Sequence, residues 1–247
     1  MLYGELIKLG ESVSIRDGTT LMQVAEGVDR LYSDHLGFPS IILRESMALL
    51  SFLHKNYHHD LGLIDISFPF TIKKTDPPDF LLSSSTKQIS VEVVRVIPKN
   101  LAALYRLVNK TTGCKSFETD VSLYDDSKLK SKDELMTYLL FPGQKLCKNG
   151  VIGYAKERAW ATLVHKLILS KCYKDYVADI LLLDDHYIAS CDKENIRKQL
   201  DSFQMQLDFA PIKPNHQCII SENPNGVLVL FQNKTWVGNF YETSGIA

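Results

Sequence analysis

Apolar residues recur every three to four positions from about Thr20 to His35, where Leu21, Val24, Val28 and Leu31 predict the first amphipathic helix. The segment Gly37-Phe38-Pro39-Ser40 breaks that period, and Ser40 is placed to cap a second helix, IILRESMALLSFLHKNY, that ends before Gly62. The pattern then changes to alternation. Leu63 to Ile72 (LIDISFPFTI) predicts a strand, Thr75-Asp76-Pro77-Pro78 a break, and Asp79 to Leu82 a second strand that turns through SSSTK. Gln88 to Ile97 (QISVEVVRVI) is the clearest strand. Its pleat puts Ile89, Val91, Val93 and Arg95 on one face, and Ser90, Glu92, Val94 and Val96 on the other. Pro98 ends it.

A helix is predicted over Asn100 to Asn109, followed by the charged, solvated connection YDDSKLKSKDEL and a short helix near Leu135 to Phe141. From Ala155 to about Tyr176 a long helix carries the stripe Trp160, Leu163, Val164 and Leu167. The run ADILLLD, Ala178 to Asp184, suits a buried strand of a mixed or parallel sheet. A further helix is expected over Glu194 to Leu207, then strands near Gln217 to Ser221 and Gly226 to Phe231 around the turn ENPNG. The expected organisation is one α/β domain over 1–247. Residues 1–40 read as an N-terminal helical extension, 99–153 as an insertion and 186–247 as a C-terminal extension of the sheet.

Composition adds exclusions. The net charge of −1 gives no overall basic field, so any nucleic-acid binding has to be concentrated in one groove. Cys114, Cys147, Cys172, Cys191 and Cys218 are odd in number and contain no C-x-x-C pair, which favours reduced thiols in a cytoplasmic protein. The N-terminus carries charges throughout, so no signal peptide is expected, and the apolar run Ile180 to Leu183 is far too short to span a bilayer. Neither G-x-x-x-x-G-K-[ST] nor G-x-G-x-x-G is present to suggest a nucleotide-dependent transferase.

Two carboxylates carry the candidate chemistry. Asp79 follows two prolines at the start of one strand, and Glu92 sits among valines in the next. Carboxylates on adjacent strands can converge on a divalent cation, and oxygen ligands suit Mg²⁺ or Mn²⁺. A glutamate so flanked is costly to bury unless something pairs with it. The aspartate's ordinary alternative is a turn role, and the glutamate's is a structural ion pair. His58-His59-Asp60 looks like a helix end, and His165 with Cys172 is too few ligands for a closed zinc site. The aromatic tail TWVGNFYETSGIA reads most simply as core or edge packing.

The segment DPPDFLLSSSTKQISVEVVRV resembles the first half of the PD-(D/E)XK (restriction-endonuclease-like) nuclease signature, with Pro78-Asp79 and Val91-Glu92-Val93 as its two elements. The order helix, three-strand β-meander, helix, strand is similar to that family's core, a central mixed sheet flanked by helices. The resemblance implies a Mg²⁺-dependent endonuclease acting on DNA or RNA, in a setting such as bacterial defence or mobile elements, working as a homodimer or with a partner protein. It also implies that Asp79 and Glu92 ligate the metal, with Glu45 as an additional ligand from the preceding helix. The family's E-x-K lysine is missing, because Val94 stands there. Lys166 is the candidate replacement from the long helix, on a flank with Ala159, Thr162, Ser170 and Tyr173; Lys171 and Lys156 are alternatives. The missing lysine leaves a second expectation, a catalytically weakened nuclease fold serving as a nucleic-acid-binding or protein-interaction module.

Overall fold

The structure is a computed structural model that describes residues 10–33, 40–114, 116–117, 121–125, 127–141, 153–172, 178–185, 198, 217–222, 226–232 and 235–242. The chain is a mixed α/β protein that divides into two compact units, one formed by 1–95, 168–189 and 206–247 and the other by 96–167 and 190–205. The stretch expected to be a mere insertion buries side chains of its own, among them Leu101, Leu104, Leu123, Leu135 and Leu139.

The first unit is built on an eight-stranded mixed sheet. Strand β1 (Ser12–Ile15) pairs antiparallel with β2 (Phe70–Lys74), which pairs with β3 (Phe80–Ser84), and β3 with β4 (Gln88–Arg95). Strand β7 (Ile180–Asp185) then runs parallel to β4, and β8 (Gln217–Glu222) parallel to β7. Strands β9 (Gly226–Gln232) and β10 (Thr235–Glu242) complete the sheet by antiparallel pairing. A parallel pair needs a long crossover, and the second unit's residues 96–167 lie within the connection from β4 to β7.

Helices α1 (Gly18–Ser33) and α2 (Ile41–His58) pack on each other and share one core with the sheet. Ser40 caps α2 as expected, accepting from the Leu43 amide at 3.1 Å. From α1 come Leu21, Val24 and Val28; from α2, Leu49, Phe52 and Leu53. The sheet answers with alternate residues, Phe70 and Ile72, Phe80 and Leu82, Ile89, Val91 and Val93. The pairings Ile72↔Leu82, Leu82↔Ile89 and Phe80↔Val91 put these on one face. In β7 both alternating sets are buried, Ile180 and Leu182 as well as Leu181 and Leu183, as suits a central parallel strand.

Several boundaries move from the expectation. Residues 1–40 are more than a helical extension, because β1 joins the sheet through Val13 and Ile15, a pair too short to stand out in a polar segment. Leu63 to Pro69 is not strand. The chain leaves α2 where Asp60 and Gly62 adopt φ of 50° and 64°, and Asn56 Oδ1 then accepts from the amides of Leu63 and Ile64 at 2.8 and 3.3 Å. The Tyr57 hydroxyl donates to the Ile66 carbonyl at 2.5 Å. These bonds satisfy backbone groups that would otherwise demand a ladder. Asn56→Ala is expected to cost about 1–3 kcal/mol by stranding two amides, read as a lower urea midpoint with an unchanged slope.

In the second unit, α3 (Lys99–Lys110) presents Leu101 and Leu104 inward. The buried Asn100 ties down the charged connection, donating to the carbonyls of Asp125 and Lys128 and accepting from the Lys130 amide. That connection is therefore ordered by a side chain rather than simply solvated. The helix expected near Leu135 is α4 (Lys132–Met136), started by a capping box between Ser131 and Glu134. It is followed by β6 (Leu139–Leu140), paired with β5 (Ser116–Phe117). Helix α5 (Gly153–Cys172) belongs to the second unit as far as Leu167 and to the first from Ile168. The helix expected over Glu194 to Leu207 lies, apart from helical Lys198, outside the described residues. Among the described residues no helix is long and apolar enough to cross a membrane.

Candidate functional site

Five charged side chains of the first unit lie around β2, β3 and β4, with Lys74 joining Glu45 and Asp79 and Lys171 joining Glu92. Asp79 directly precedes Phe80, which pairs with Val91, the residue before Glu92. The turn that delivers Asp79 is closed by the Thr75 amide on the Asp79 carbonyl at 2.8 Å and by the Thr75 hydroxyl on the Pro78 carbonyl. Asp79 is then oriented by the backbone, its Oδ2 accepting from the Val93 amide at 2.7 Å. Glu92 is buried at 7% exposure within the valine run.

Lys74 and Lys171 complete the set. Lys74 follows Phe70 and Ile72 on the core-facing side of β2, and its side chain is only 4% exposed. Its ammonium donates to Glu45 Oε2 at 2.8 Å and to Asp79 Oδ1 at 3.2 Å, and lies 4.5 Å from the centroid of the Phe80 ring. Glu45 comes from α2. Lys171, from the last turn of α5, forms an ion pair with Glu92.

The sequence-predicted residues thus separate. Glu45 and Asp79 share Lys74, Glu92 acts on both through its charge, and the lysine on Glu92 is Lys171. Lys166 is exposed, and its charge helps hold the Asp125 carboxyl below the usual range, behind the larger effect of hydrogen bonds from Ser127. Helical spacing explains the difference. Ala161, Val164, Ile168 and Lys171 form one stripe at intervals of three and four, the first three of them buried, whereas Lys166 lies about 140° round the helix from Lys171. Lys156 has no described side chain. Lys74 was missed by sequence reasoning, although strand parity with Phe70 and Ile72 was the signal for it.

Burial pushes the Asp79 carboxyl above its ordinary value; the Val93 hydrogen bond pulls it down, the Glu92 charge pushes it up, and Lys74 pulls it down. Burial likewise raises Glu45, opposed by the Lys74 hydrogen bond and reinforced by the charges of Asp79 and Glu92. Three carboxylates against two ammonium groups leave the set with a net negative charge in its ionised form.

Among the described residues, no three His, Cys, Asp or Glu side chains are gathered to hold a metal ion between them. His54, His58 and His59 at the end of α2 make ring contacts with one another and form no such group. Carboxylate oxygens are the donor type Mg²⁺ takes, commonly one or two of them with water and substrate phosphate; here Asp79 is engaged by Lys74 and the Val93 amide, and Glu92 by Lys171. No family model, curated protein or solved structure matches the chain.

Proposed function

We propose that the chain is a divalent-cation-dependent nuclease with a restriction-endonuclease-like core, hydrolysing phosphodiester bonds in DNA, with Asp79 and Glu92 holding Mg²⁺ or Mn²⁺. The observation that carries this reading is that two desolvated carboxylates, Asp79 just before β3 and Glu92 within β4, feel each other's charge, with an ammonium group beside each. The order α2, β2–β3–β4 meander, α5, β7, with β7 parallel to β4, supports it. A cation bound there would polarise a scissile phosphate and make an attacking water more acidic.

The chain's own residues have separate tasks. Asp79 keeps a fixed orientation through the Val93 amide, so its carboxylate need not reorganise on binding. Lys171 takes the part of the missing E-x-K lysine. Its side chain is 23% exposed, so its ammonium can meet a phosphate oxygen as charge develops there while staying beside Glu92. Lys74, at 4% exposure, serves the carboxylates rather than the substrate.

The test is cleavage of labelled single- and double-stranded DNA and RNA in Mg²⁺ or Mn²⁺ and in chelator. Cleavage in metal alone is expected. Lys171→Gln should lower its rate by about 10²–10³-fold, the scale of losing one charge-stabilising donor, while Lys166→Gln stays near the wild-type rate. Cation binding without cleavage of any substrate would instead favour a nucleic-acid-binding or protein-interaction module.

A further inference from the structure

We propose that the second unit presents a surface of fixed cations, carried by α3 and the loop beside it, that docks the phosphate backbone of a nucleic acid. The choice of polyanion rests on the nuclease reading above, but the surface uses none of the residues of that site.

The chain's near-zero net charge hides a division. Residues 96–167 and 190–205 hold 15 Lys and Arg against 10 Asp and Glu, a formal charge of +5, whereas the rest of the chain holds 13 against 19, or −6. Helix α3, KNLAALYRLVNK, contains no carboxylate. Its Lys99, Arg106 and Lys110 are exposed and fall within about 40° of one another, on the side away from the buried Leu101 and Leu104. They run over about 16 Å of helix. That matches about five phosphates of one strand at roughly 3.4 Å each.

A second basic element is fixed to the start of this helix. Residues 127–132 read SKLKSK, with Lys128 and Lys132 exposed and Lys130 half-buried, its ammonium 5.6 Å from the Tyr138 ring centroid. Asn100 is buried and holds the loop, donating to the carbonyls of Asp125 and Lys128 at 3.1 and 2.9 Å and accepting from the Lys130 amide at 2.8 Å. The loop lysines are therefore set beside the first turn of α3, where Lys99 stands. Two neighbouring carboxylates are used locally, Asp125 accepting from the Ser127 amide and Glu134 from Ser131.

Like charges gathered in this way repel one another, a cost that a polyanion relieves. A backbone already held in place also loses less freedom on binding. Phosphate oxygens are acceptors that ammonium and guanidinium groups share. A lipid surface fits less well. Leu129 and Phe141 are the large exposed apolar side chains described in this unit, and a basic patch needs more than these to anchor firmly.

The test is fluorescence anisotropy of labelled duplex and single-stranded DNA in chelator, across graded KCl, so that binding is read apart from metal-dependent cleavage. It compares the wild type with Arg106→Gln/Lys110→Gln/Lys128→Gln/Lys132→Gln and with a charge-matched control in the first unit, Arg16→Gln/Arg30→Gln/Lys73→Gln/Lys87→Gln, all eight positions being exposed. The first variant is expected to lose about a hundredfold in affinity at low salt and to flatten the log–log salt dependence by about three to four, at roughly 0.9 per phosphate contact. The control should stay near the wild type. Equal losses in both variants, no loss in the first, or a wild type that binds phosphatidylserine vesicles but not DNA would overturn the proposal. Cleavage in Mn²⁺ is followed alongside. Cleavage by the wild type with unchanged affinity in the first variant removes this surface and leaves the nuclease reading standing. Salt-sensitive binding that the first variant loses, without cleavage by the wild type, supports the surface and removes that reading. Should the first variant fail to fold, lysine acetylation of the wild type decides. Protection of Lys110, Lys128 and Lys132 by DNA, with Lys73 and Lys87 unprotected, supports the proposal, and equal labelling with and without DNA overturns it.

Discussion

Replacing Asp79 by asparagine is expected to lower metal-dependent cleavage by roughly a thousandfold or more, a barrier increase of several kcal/mol, and to raise the melting temperature measured in chelator by a few degrees. Both effects come from one side chain. The carboxylate supplies a charged oxygen ligand that an amide replaces poorly, yet burial and the charge of Glu92 both disfavour its ionised form in the metal-free fold. Asparagine keeps an oxygen for the Val93 amide, and Lys74 keeps Glu45.

The sign with pH follows from linkage. A carboxyl raised above its ordinary 3.8 contributes stability that is complete below that value and lost as pH rises through the folded value. The asparagine variant mimics the protonated form at every pH. Its advantage is therefore largest near neutrality and shrinks as the wild-type carboxyl protonates on the way down to 3.8. Melting curves of both proteins across that range, in chelator, check it; a gap that widens on acidification contradicts the account.

Lys74→Ala is expected to be the most damaging single change at the site, costing about 3–5 kcal/mol, the usual penalty for leaving a buried partner charge uncompensated. At about 2–4 °C per kcal/mol for a chain of this size, melting should fall by roughly 10 °C. Both Glu45 and Asp79 lose their ammonium, and both are already desolvated. In the Glu45→Gln/Asp79→Asn background the same substitution should cost far less, because no charge is left stranded. A double-mutant cycle by urea unfolding measures this coupling. An equal loss in both backgrounds would mean that Lys74 acts by packing alone.

Much of the architecture was legible because its signals are local. Ser40 before an amphipathic run announced α2, and QISVEVVR declared β4. The apolar run ADILLLD marked β7. Strand β1 was not legible, since two apolar residues in four carry little periodicity and its burial depends on β2, far along the chain. The start of β2 was misread because LIDIS has the composition of a strand, while its backbone partners are side chains of α2.

With that strand expected over Leu63 to Ile72, ending two residues early, Lys74 lay outside it. The observed strand, Phe70–Lys74, makes Lys74 the third residue on the buried face. Glu92 and Asp79 stood out by contrast with their neighbours, valines for one and prolines for the other. The choice between Lys166 and Lys171 turned on which helical stripe faces inward. Small residues beside Lys166 suggested a close approach, but the buried stripe runs through Val164 and Ile168 to Lys171.

The proposed divalent-cation site at Asp79 and Glu92 stands or falls by Mn²⁺ titration calorimetry of the wild type and Asp79→Asn/Glu92→Gln. Saturable binding to the wild type is expected, with a loss of more than about a hundredfold in affinity in the variant, beyond what disturbing an outer-shell residue does. Equal affinity in the two proteins, or no binding to the wild type, would contradict it.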